Sequence, residues 1–287
     1  MTDPEITLPS PIKLNLFLHI TGVRSDGYHL LQTLFQLLDY GDSLSFKGNN
    51  QGKIVRTDLH DFELPQQDLC VRAAQLLREQ GNDQDNGVTI TLKKTVPPGT
   101  GLGAGSSNAA TVLIGLNHLW DMRLSGEALL QLGSQLGADV PLFIHGHTAW
   151  GEGTGELLTS CDQQEQWFCV LLPRAHVSTQ KIFCSPQLER NSPRISLEDY
   201  ASGQTRNTLE AVTVQYYPQV GLALDWLSQF GNARMSGTGA SVFLATPSRQ
   251  EAQSVLSQMP DELDGFVARG CNQSPLHRAM DKICKRR

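Results

Sequence analysis

Four glycines alternate with other residues in the segment Pro97-Pro-Gly-Thr-Gly-Leu-Gly-Ala-Gly-Ser-Ser-Asn108, and an apolar stretch follows at once. Alternate glycines remove side chains where a bulky group must approach the backbone. The last three residues offer hydroxyls, a helix cap and the free N–H groups of a first helical turn. With the positive end of the helix dipole, they predict a phosphate-binding loop that leads into a helix from Asn108 to Trp120. The regular glycine spacing disfavours the simpler alternative, a flexible hairpin before an ordinary helix.

Features that the sequence lacks exclude two known classes of phosphate-binding loop. No lysine follows the glycines, so the Walker A pattern is not met, and the protein-kinase segments His-Arg-Asp and Asp-Phe-Gly do not occur. A dinucleotide fingerprint fits loosely through Gly99, Gly101 and Ala104. The preceding strand, Val88–Lys93, is amphipathic rather than fully buried, and two prolines separate it from the loop, which disfavours that class. An oxidoreductase that binds NADH stays an open alternative.

The composition indicates a globular enzyme. The chain has 287 residues, of which 39% are hydrophobic and 18% charged, and its formal net charge is -6. This length suits one large domain or two packed ones, and the acidic balance argues against a nucleic acid or an anionic membrane as the main partner. We see no signal-peptide pattern, no apolar run that approaches the roughly 20 residues of a membrane helix, and no zinc-like cysteine spacing. We therefore predict a cytoplasmic protein with reduced cysteines.

The first long apolar segment, Ile12–Ile20, alternates strictly between two kinds of residue. Period 2 places its aliphatic residues on one face of a strand, and Lys13, Asn15, Phe17 and His19 on the other. A sheet with one apolar and one mixed face is typical of antiparallel or mixed architecture. Beyond residue 155, polar segments alternate with short strands and helices, which indicates a second α+β domain. We predict an α+β protein with domains 1–158 and 159–287.

Several segments resemble the motifs of the GHMP kinases, which include galactokinase and the homoserine, mevalonate and phosphomevalonate kinases. The superfamily motifs are Ser10-Pro-Ile-Lys-Leu-Asn-Leu16, Pro97–Thr111 and Ser236-Gly-Thr-Gly-Ala240, in the expected order. Further segments resemble those superfamily members whose acceptor is a cytidine diphosphate derivative of methylerythritol. They are Lys13-Leu-Asn-Leu, Ser25-Asp-Gly-Tyr-His29, Gly137-Ala-Asp-Val-Pro141 and Asn272-Gln-Ser-Pro-Leu276.

This resemblance implies both a fold and a reaction. The fold is an N-terminal domain with a left-handed βαβ unit packed on a ferredoxin-like C-terminal domain, with the active site in the cleft between them. The reaction is transfer of the γ-phosphate of ATP, with Mg²⁺, to the 2-hydroxyl of the acceptor, on the methylerythritol phosphate route to isoprenoid precursors. The implied partner is a small cytidine diphosphate substrate, and the sequence gives no sign of an obligate protein partner.

Two residues are implied to be catalytic, Lys13 and Asp139. Asp139 precedes Pro141, where a helix cap would be its simpler role, but a carboxylate near a tertiary alcohol can take the alcohol's proton. Lys13 could be an ordinary lysine at a sheet edge. By resemblance it pairs with Asp139, keeps that carboxylate ionised and stabilises the developing alkoxide-like oxygen. The presence of both residues disfavours a non-catalytic nucleotide sensor.

The resemblance also implies two binding sites. The ATP site consists of Asp68, Leu69, Lys94, Pro97, Pro98, Gly99, Thr100, Gly101, Leu102, Gly103, Ala104, Gly105, Ser106 and Ser107. The acceptor site consists of Asn15 for the polyol and Tyr28, His29, Phe35 and Phe183 for the cytosine ring, although core packing is an equal alternative for Phe35. Ser107 is the candidate for a contact with magnesium.

Two further features bear on the alternatives that remain. A cytosine clamp at Tyr28-His29 disfavours another GHMP kinase, because a plain sugar or mevalonate has no need of one. His145-Gly-His147 has no third ligand nearby, so we interpret these residues as turn histidines rather than a metal pair.

Overall fold

The computed structural model describes residues 5–49, 51–58, 67–81, 85–203 and 205–285, which form ten strands and ten helices. The strands are β1 (Glu5–Val23), β2 (His29–Asn49), β3 (Ile54–Arg56), β4 (Gly87–Lys93), β5 (Ala149–Glu152), β6 (Leu157–Ser160), β7 (Trp167–Leu172), β8 (Arg234–Met235), β9 (Val242–Thr246) and β10 (Asp264–Cys271). The helices are α1 (Leu69–Arg78), α2 (Ala104–Leu119), α3 (Gly126–Leu136), α4 (Val140–His145), α5 (Thr179–Phe183), α6 (Leu197–Ala201), α7 (Glu210–Tyr216), α8 (Pro218–Ser228), α9 (Arg249–Leu256) and α10 (Pro275–Cys284).

The N-terminal part is built on the two longest strands. β1 and β2 are antiparallel along most of their length, and β2 also pairs with β4 and β5. β3 and β4 are parallel neighbours joined through α1, so they form a βαβ unit. Helices α1 to α4 pack on this sheet around a buried aliphatic core that contains Leu44, Leu77 and Leu113.

The C-terminal part has a second strand arrangement, in the order β10-β7-β9-β8 with every neighbouring pair antiparallel. Helices α5 to α8 connect β7 to β8, and α9 connects β9 to β10. This sequence of elements is the βαββαβ pattern of a ferredoxin-like fold. The structure therefore confirms that prediction.

The two parts are continuous. The end of β10 pairs with Leu37 and Leu38 of β2, which joins all the strands in one ten-stranded sheet. α10 packs against β1 and buries Leu276 in the N-terminal core. β6 runs to Ser160, two residues past the predicted division at 158. The division into residues 1–158 and 159–287 thus remains a proposal.

The predicted two-faced alternation along β1 is wrong. The strand has register shifts between Pro11 and Lys13, between Asn15 and Leu18, and again near Gly22. At the first shift the extra residues belong to β2, whereas at the second and third shifts β1 has one residue more than its partner, which reverses the alternation. As a result Phe17 is buried in the same apolar cluster as the aliphatic residues that precede it, and no mixed face runs along the whole strand.

The helix after the glycines begins at Ala104, four residues before the predicted start at Asn108, and ends at Leu119. The later glycine loop residues are therefore part of its first turn. Helix α2 has 16 residues, and none of the helices in the described ranges is both long and apolar enough to cross a membrane.

Candidate active site

The glycine loop folds through three left-handed backbone positions. Gly99, Gly101 and Gly103 have φ angles of 73°, 75° and 73°, which glycine adopts without strain. Gly103 occupies the N-cap position of α2, so the first N–H groups of this helix border the loop. Backbone N–H groups beside the positive end of a helix dipole are an arrangement suited to anions, and phosphate binding at this loop stays a prediction.

The loop lies directly against the backbone of a second loop, Ser236–Ala240. Ser241 donates its backbone N–H to the Thr100 carbonyl at 3.1 Å. A Cβ atom added at Gly101 would lie 2.6 Å from the Gly239 carbonyl oxygen and 2.8 Å from that of Ser236. The glycine at position 101 therefore permits both the left-handed turn and the close approach of the two loops.

We expect Gly101→Ala to raise the KM for ATP at least tenfold and to lower the free energy of unfolding by at least about 2 kcal/mol, because a Cβ adds both backbone strain and a clash with two carbonyls. Urea denaturation and initial rates at varied ATP measure the two effects. Gly126→Ala is the matched control, since Gly126 lies at the start of α3 with no atom within 4 Å of an added Cβ. Equal KM values for both variants would contradict this reading of the loop.

Asp42 is a buried carboxylate that the sequence analysis did not single out. It accepts hydrogen bonds from the backbone N–H groups of Thr95 (2.7 Å) and Val96 (3.0 Å), from Lys94 Nζ (2.8 Å) and from Asn108 Nδ2 (2.9 Å). These partners lie before the glycine loop and within helix α2. Asp42 therefore connects both ends of the phosphate-binding segment to strand β2. Burial alone would raise the pKa of Asp42, but these hydrogen bonds together lower it.

Replacing Asp42 with asparagine should lower the free energy of unfolding by about 2 to 4 kcal/mol at pH 7, because in either orientation the amide's NH2 group, which is a donor, would face other donors. A lowered folded-state pKa means that the carboxylate stabilises the protein above its unfolded pKa of about 3.9 and loses this effect as pH falls through the folded value. The difference between wild type and Asp42→Asn should therefore shrink below about pH 4. Urea denaturation against pH measures it.

Asp264→Asn is the matched control for this prediction, because Asp264 is exposed and pairs with the exposed Arg174 at 3.3 Å. A surface ion pair of this kind contributes little, so its removal should leave the free energy of unfolding nearly unchanged. Equal stability of the Asp42 and Asp264 variants would refute the role given to Asp42.

Lys13 and Asp139 meet at the base of the cleft. Lys13 Nζ lies 3.2 Å from Asp139 Oδ2, with the lysine side chain 5% and the aspartate side chain 33% exposed. Asp139 precedes α4, but its side chain makes no capping hydrogen bond there. The structure thus brings the two predicted catalytic residues together and gives Asp139 no capping role. The backbone N–H of Lys13 also donates to the Leu102 carbonyl at 3.0 Å, which attaches the glycine loop to β1.

Asn15 orients Lys13 instead of presenting a free polar group. Its Oδ1 accepts from Lys13 Nζ at 2.7 Å, and its Nδ2 donates to Thr33 Oγ1 at 2.9 Å. Both ends of the amide are therefore already hydrogen-bonded. The predicted bond from Asn15 to the acceptor's polyol stays a prediction, and it would use the second N–H or the second lone pair of the amide.

The residues around this pair enclose a cavity of about 300 Å³. Its N-terminal wall includes Lys13, Asn15, Phe35, Gly101, Gly103, Ser106 and Asp139, and its C-terminal wall includes Thr179, Phe183, Leu209, Gly237 and Thr238. A larger cavity of about 440 Å³ lies elsewhere, near Tyr200 and Arg234, and contains none of the predicted site residues. The smaller cavity is the candidate active site because Lys13, Asp139 and the phosphate loop all line it.

The four residues predicted to surround a cytosine ring do not all lie together. The rings of His29 and Phe183 are 5.1 Å apart at one end of the cavity. Phe35 is buried in the N-terminal core, with its ring centroid 5.6 Å from Lys13 Nζ, so it lies beside the catalytic pair. Tyr28 is 66% exposed beside Arg24. The structure thus supports a base-binding pair, His29 and Phe183, and leaves Tyr28 outside it.

Two of the predicted ATP-site residues, Asp68 and Lys94, have other partners. Asp68 caps α1 by accepting from the Val71 N–H and forms an ion pair with Arg56, so its side chain is not free for a nucleotide. Lys94 is bonded to Asp42. Leu69 does lie at the loop, with its Cδ1 atom 3.6 Å from the Cβ position of Gly105.

The structure argues against the predicted contact between Ser107 and magnesium. Ser107 is fully buried, and its hydroxyl accepts a hydrogen bond from Ser10 Oγ at 2.9 Å. It therefore faces the interior, because the first turn of α2 directs consecutive residues to different sides. The neighbouring Ser106 lines the cavity instead.

Comparisons with known proteins agree with this geometry. Residues 68–147 match the GHMP kinases N terminal domain, and residues 188–265 match the GHMP kinases C terminal domain. Two proteins named 4-diphosphocytidyl-2-C-methyl-D-erythritol kinase are each 47% identical to this chain. The one from Marinobacter nauticus aligns over 97% of this chain and 99% of its own length, and the one from Pseudomonas syringae pv. syringae over 98% and 99%.

A solved structure gives the same result at the level of the fold. The crystal structure of a 4-(cytidine 5'-diphospho)-2C-methyl-D-erythritol kinase superimposes with a TM-score of 0.82 at 28% sequence identity, and the match covers 92% of this chain and 99% of that one. This chain therefore shares both domains, the ferredoxin-like strand order and nearly its full length with these kinases. The chain belongs to the GHMP kinases and, within them, to the 4-diphosphocytidyl-2-C-methyl-D-erythritol kinase family.

Proposed function

We propose that this protein transfers the γ-phosphate of ATP to the 2-hydroxyl of 4-diphosphocytidyl-2-C-methyl-D-erythritol, a step of the methylerythritol phosphate route to isoprenoid precursors. One observation carries the proposal. The paired Lys13 and Asp139 lie in a single cavity between a glycine loop suited to phosphate and an aromatic pair suited to a base. That order of groups matches an acceptor that has a reactive alcohol at one end and cytidine at the other.

The glycine loop and the N-terminus of α2 would hold the phosphates of ATP. Three left-handed glycines leave the backbone bare at the cavity, and the first N–H groups of α2 are available beside them. Ser106 adds a hydroxyl on the same wall. Bound ATP supplies the phosphoryl group, and the chain's part is to position it and neutralise its charge.

Asp139 would act on the acceptor's hydroxyl. A tertiary alcohol is a weak nucleophile, and a carboxylate within hydrogen-bond reach can accept its proton as the oxygen attacks phosphorus. The partial exposure of Asp139 on the cavity permits such contact. Lys13, which Asn15 and Asp139 hold in place, adds a fixed positive charge where negative charge develops on the attacking oxygen.

Magnesium belongs to the proposal as the partner of ATP. Within the described ranges, no group of three or more His, Cys, Asp or Glu side chains could hold a metal ion. Mg²⁺ commonly binds through one or two protein oxygens together with substrate phosphates and water, and a cavity that offers Asp139 and Ser106 fits this mode. These two residues are our candidates for the contact.

His29 and Phe183 would bind the cytosine ring. An aromatic face favours stacking on a planar base, and an imidazole at its edge can form a directional hydrogen bond. Burial and, to a lesser extent, the nearby charge of Arg190 lower the pKa of His29, so its ring is neutral at pH 7. A neutral ring has one donor and one acceptor nitrogen, which is what recognition of a base edge requires.

A comparison of acceptors tests the proposal. ADP release from Mg-ATP should be fast with 4-diphosphocytidyl-2-C-methyl-D-erythritol and near background with mevalonate, galactose or no acceptor. The first two controls represent other GHMP kinases, and the last detects hydrolysis by a nucleotide-binding protein that has no acceptor. ADP release that is absent, or equal across acceptors, would contradict the proposal. Binding of NADH without ATP turnover would support a dinucleotide oxidoreductase instead.

A further inference from the structure

We propose that Arg190 is a positioning residue that fixes the tautomer of His29 and holds the backbone that carries Phe183, so that it determines how tightly the acceptor's base is bound. The inference rests on the proposed function and deepens it. Arg190 lies outside the catalytic pair and outside the motifs on which the sequence analysis relied.

Arg190 joins two separate parts of the chain through all three of its side-chain nitrogens. Its Nε donates to His29 Nε2 at 3.2 Å, at the start of β2. Its Nη2 donates to the carbonyls of Phe183 (3.2 Å) and Ser185 (2.7 Å), and its Nη1 donates to the carbonyl of Leu188 (3.0 Å). The planar guanidinium thus holds the edge-reading imidazole and the segment after α5 in one fixed arrangement.

This contact determines which ring nitrogen of His29 carries the proton. An arginine side chain has donors and no acceptor, and it stays protonated at all physiological pH values. His29 Nε2 must therefore present a lone pair to Arg190, and a neutral ring must then carry its hydrogen on Nδ1. In the part of the chain that the structure describes, Nδ1 has no hydrogen-bond partner, so this N–H is available to a ligand.

The available donor suits a cytosine ring. The Watson–Crick edge of cytosine presents two acceptors, O2 and N3, beside the amino group. An Nδ1–H donor can bond to either acceptor, whereas the opposite tautomer would present a lone pair to them. The hydrogen bond from Arg190 Nη2 to the Phe183 carbonyl holds Phe183 at the same time and keeps its ring 5.1 Å from the imidazole. Arg190 therefore controls both the stacking partner and the edge-reading partner.

The electrostatic surroundings of His29 are simple. Arg190 is the charged neighbour whose positive field reaches the ring, and it lowers the pKa of His29 in addition to the effect of burial. The residue opposite His29 on β1 is the uncharged Val23, and the charged residue of α5, Lys181, lies over the rings of Tyr216 and Tyr217. Arg24 and Asp26, in the turn before His29, pair with each other. Removal of the arginine should consequently raise the pKa of His29.

Nuclear magnetic resonance of the imidazole nitrogens tests the tautomer directly in the ligand-free protein. In wild type, the His29 signals should show a protonated Nδ1 and an unprotonated Nε2 at pH 7. In Arg190→Gln, the ring should exchange between tautomers and titrate at higher pH. A wild-type ring protonated on Nε2 would overturn the inference, and so would an unchanged tautomer and pKa in the variant. A merely structural arginine would not affect these signals.

Steady-state kinetics test the consequence. Arg190→Gln should raise the KM for the cytidine diphosphate acceptor about tenfold, because one or two hydrogen bonds from the charged guanidinium are lost. The kcat and the KM for ATP should stay within about twofold of wild type. Arg206→Gln is the matched control, because Arg206 is an exposed arginine that pairs with Glu189 and does not touch His29 or Phe183. An unchanged acceptor KM in Arg190→Gln would refute the role of Arg190.

Arg190→Lys separates charge from geometry. A lysine retains the positive charge but lacks the planar set of donors, so the pKa of His29 should stay near the wild-type value while the acceptor KM still rises. This variant also replaces Arg190→Gln if the latter does not fold. If the proposed function itself is wrong, the experiment gives a different result, because wild type would then not phosphorylate the acceptor. An active wild type with unaltered Arg190 variants would contradict only the present inference.

Discussion

Asp139→Asn should lower kcat by about 10²- to 10⁴-fold while the protein remains folded, because an amide of the same shape cannot accept the proton of the acceptor's hydroxyl. The side chain of Asp139 caps no helix and pairs with Lys13, so its replacement removes little structure. ADP release at saturating substrates measures kcat, and urea denaturation measures the fold. Asp264→Asn, at an exposed ion pair, is the control and should retain wild-type kcat. A wild-type kcat in Asp139→Asn would exclude the base role.

Lys13→Met should lower kcat by about 10²- to 10³-fold, because the fixed positive charge beside the attacking oxygen is lost. Its effect on stability should be small, because the carboxylate of Asp139 is 33% exposed and stays in contact with water when its lysine partner is removed. The matched control is Lys47→Met, another lysine on a long strand of the same sheet, but one that is exposed. A loss of less than tenfold in Lys13→Met, with the control unchanged, would contradict the account.

The two substitutions should not add. Lys13 and Asp139 contact each other and act on the same oxygen, so the loss of either removes most of what the pair does. The double variant Lys13→Met with Asp139→Asn should therefore be about as slow as the slower single variant. A double variant whose loss equals the product of the two single losses would show that the residues act independently.

The phosphate loop was the part of the site most accessible from the sequence. Alternate glycines specify left-handed backbone positions through the absence of a Cβ atom, which is a local property that the sequence displays directly. Gly99, Gly101 and Gly103 have this left-handed backbone, a detail that the prediction of a phosphate loop did not include. The reason for glycine at position 101 was not accessible, because it depends on two carbonyls from residues more than a hundred positions away.

The alternation predicted for β1 is wrong for a similar reason, because it too depends on residues that are distant in sequence. Period 2 predicts the faces of a strand only while its pairing stays in register, and the pairing of β1 with β2 shifts three times. No local residue preference marks these interruptions, which arise from pairing with β2. Lys13 and Asn15 nevertheless remain side by side, because they lie within one regular stretch of the strand.

The residues predicted to bind the base show how neighbours in sequence can separate in space. Tyr28 immediately precedes β2, and His29 is the first residue of that strand. The imidazole turns toward Phe183, whereas the tyrosine turns outward. Arg190 and Asp42 escaped the sequence analysis for a related reason, because a single arginine in a polar segment or a single aspartate after an apolar one carries no motif. Only the folded chain shows what these two residues connect.

The most direct test of the central claim is ³¹P nuclear magnetic resonance of the product formed from Mg-ATP and 4-diphosphocytidyl-2-C-methyl-D-erythritol. We expect one new phosphomonoester on the 2-hydroxyl, formed in equal amount with ADP, and no such signal with Asp139→Asn over the same period. ADP accompanied by free phosphate instead, or a phosphate ester on another hydroxyl of the acceptor, would contradict it.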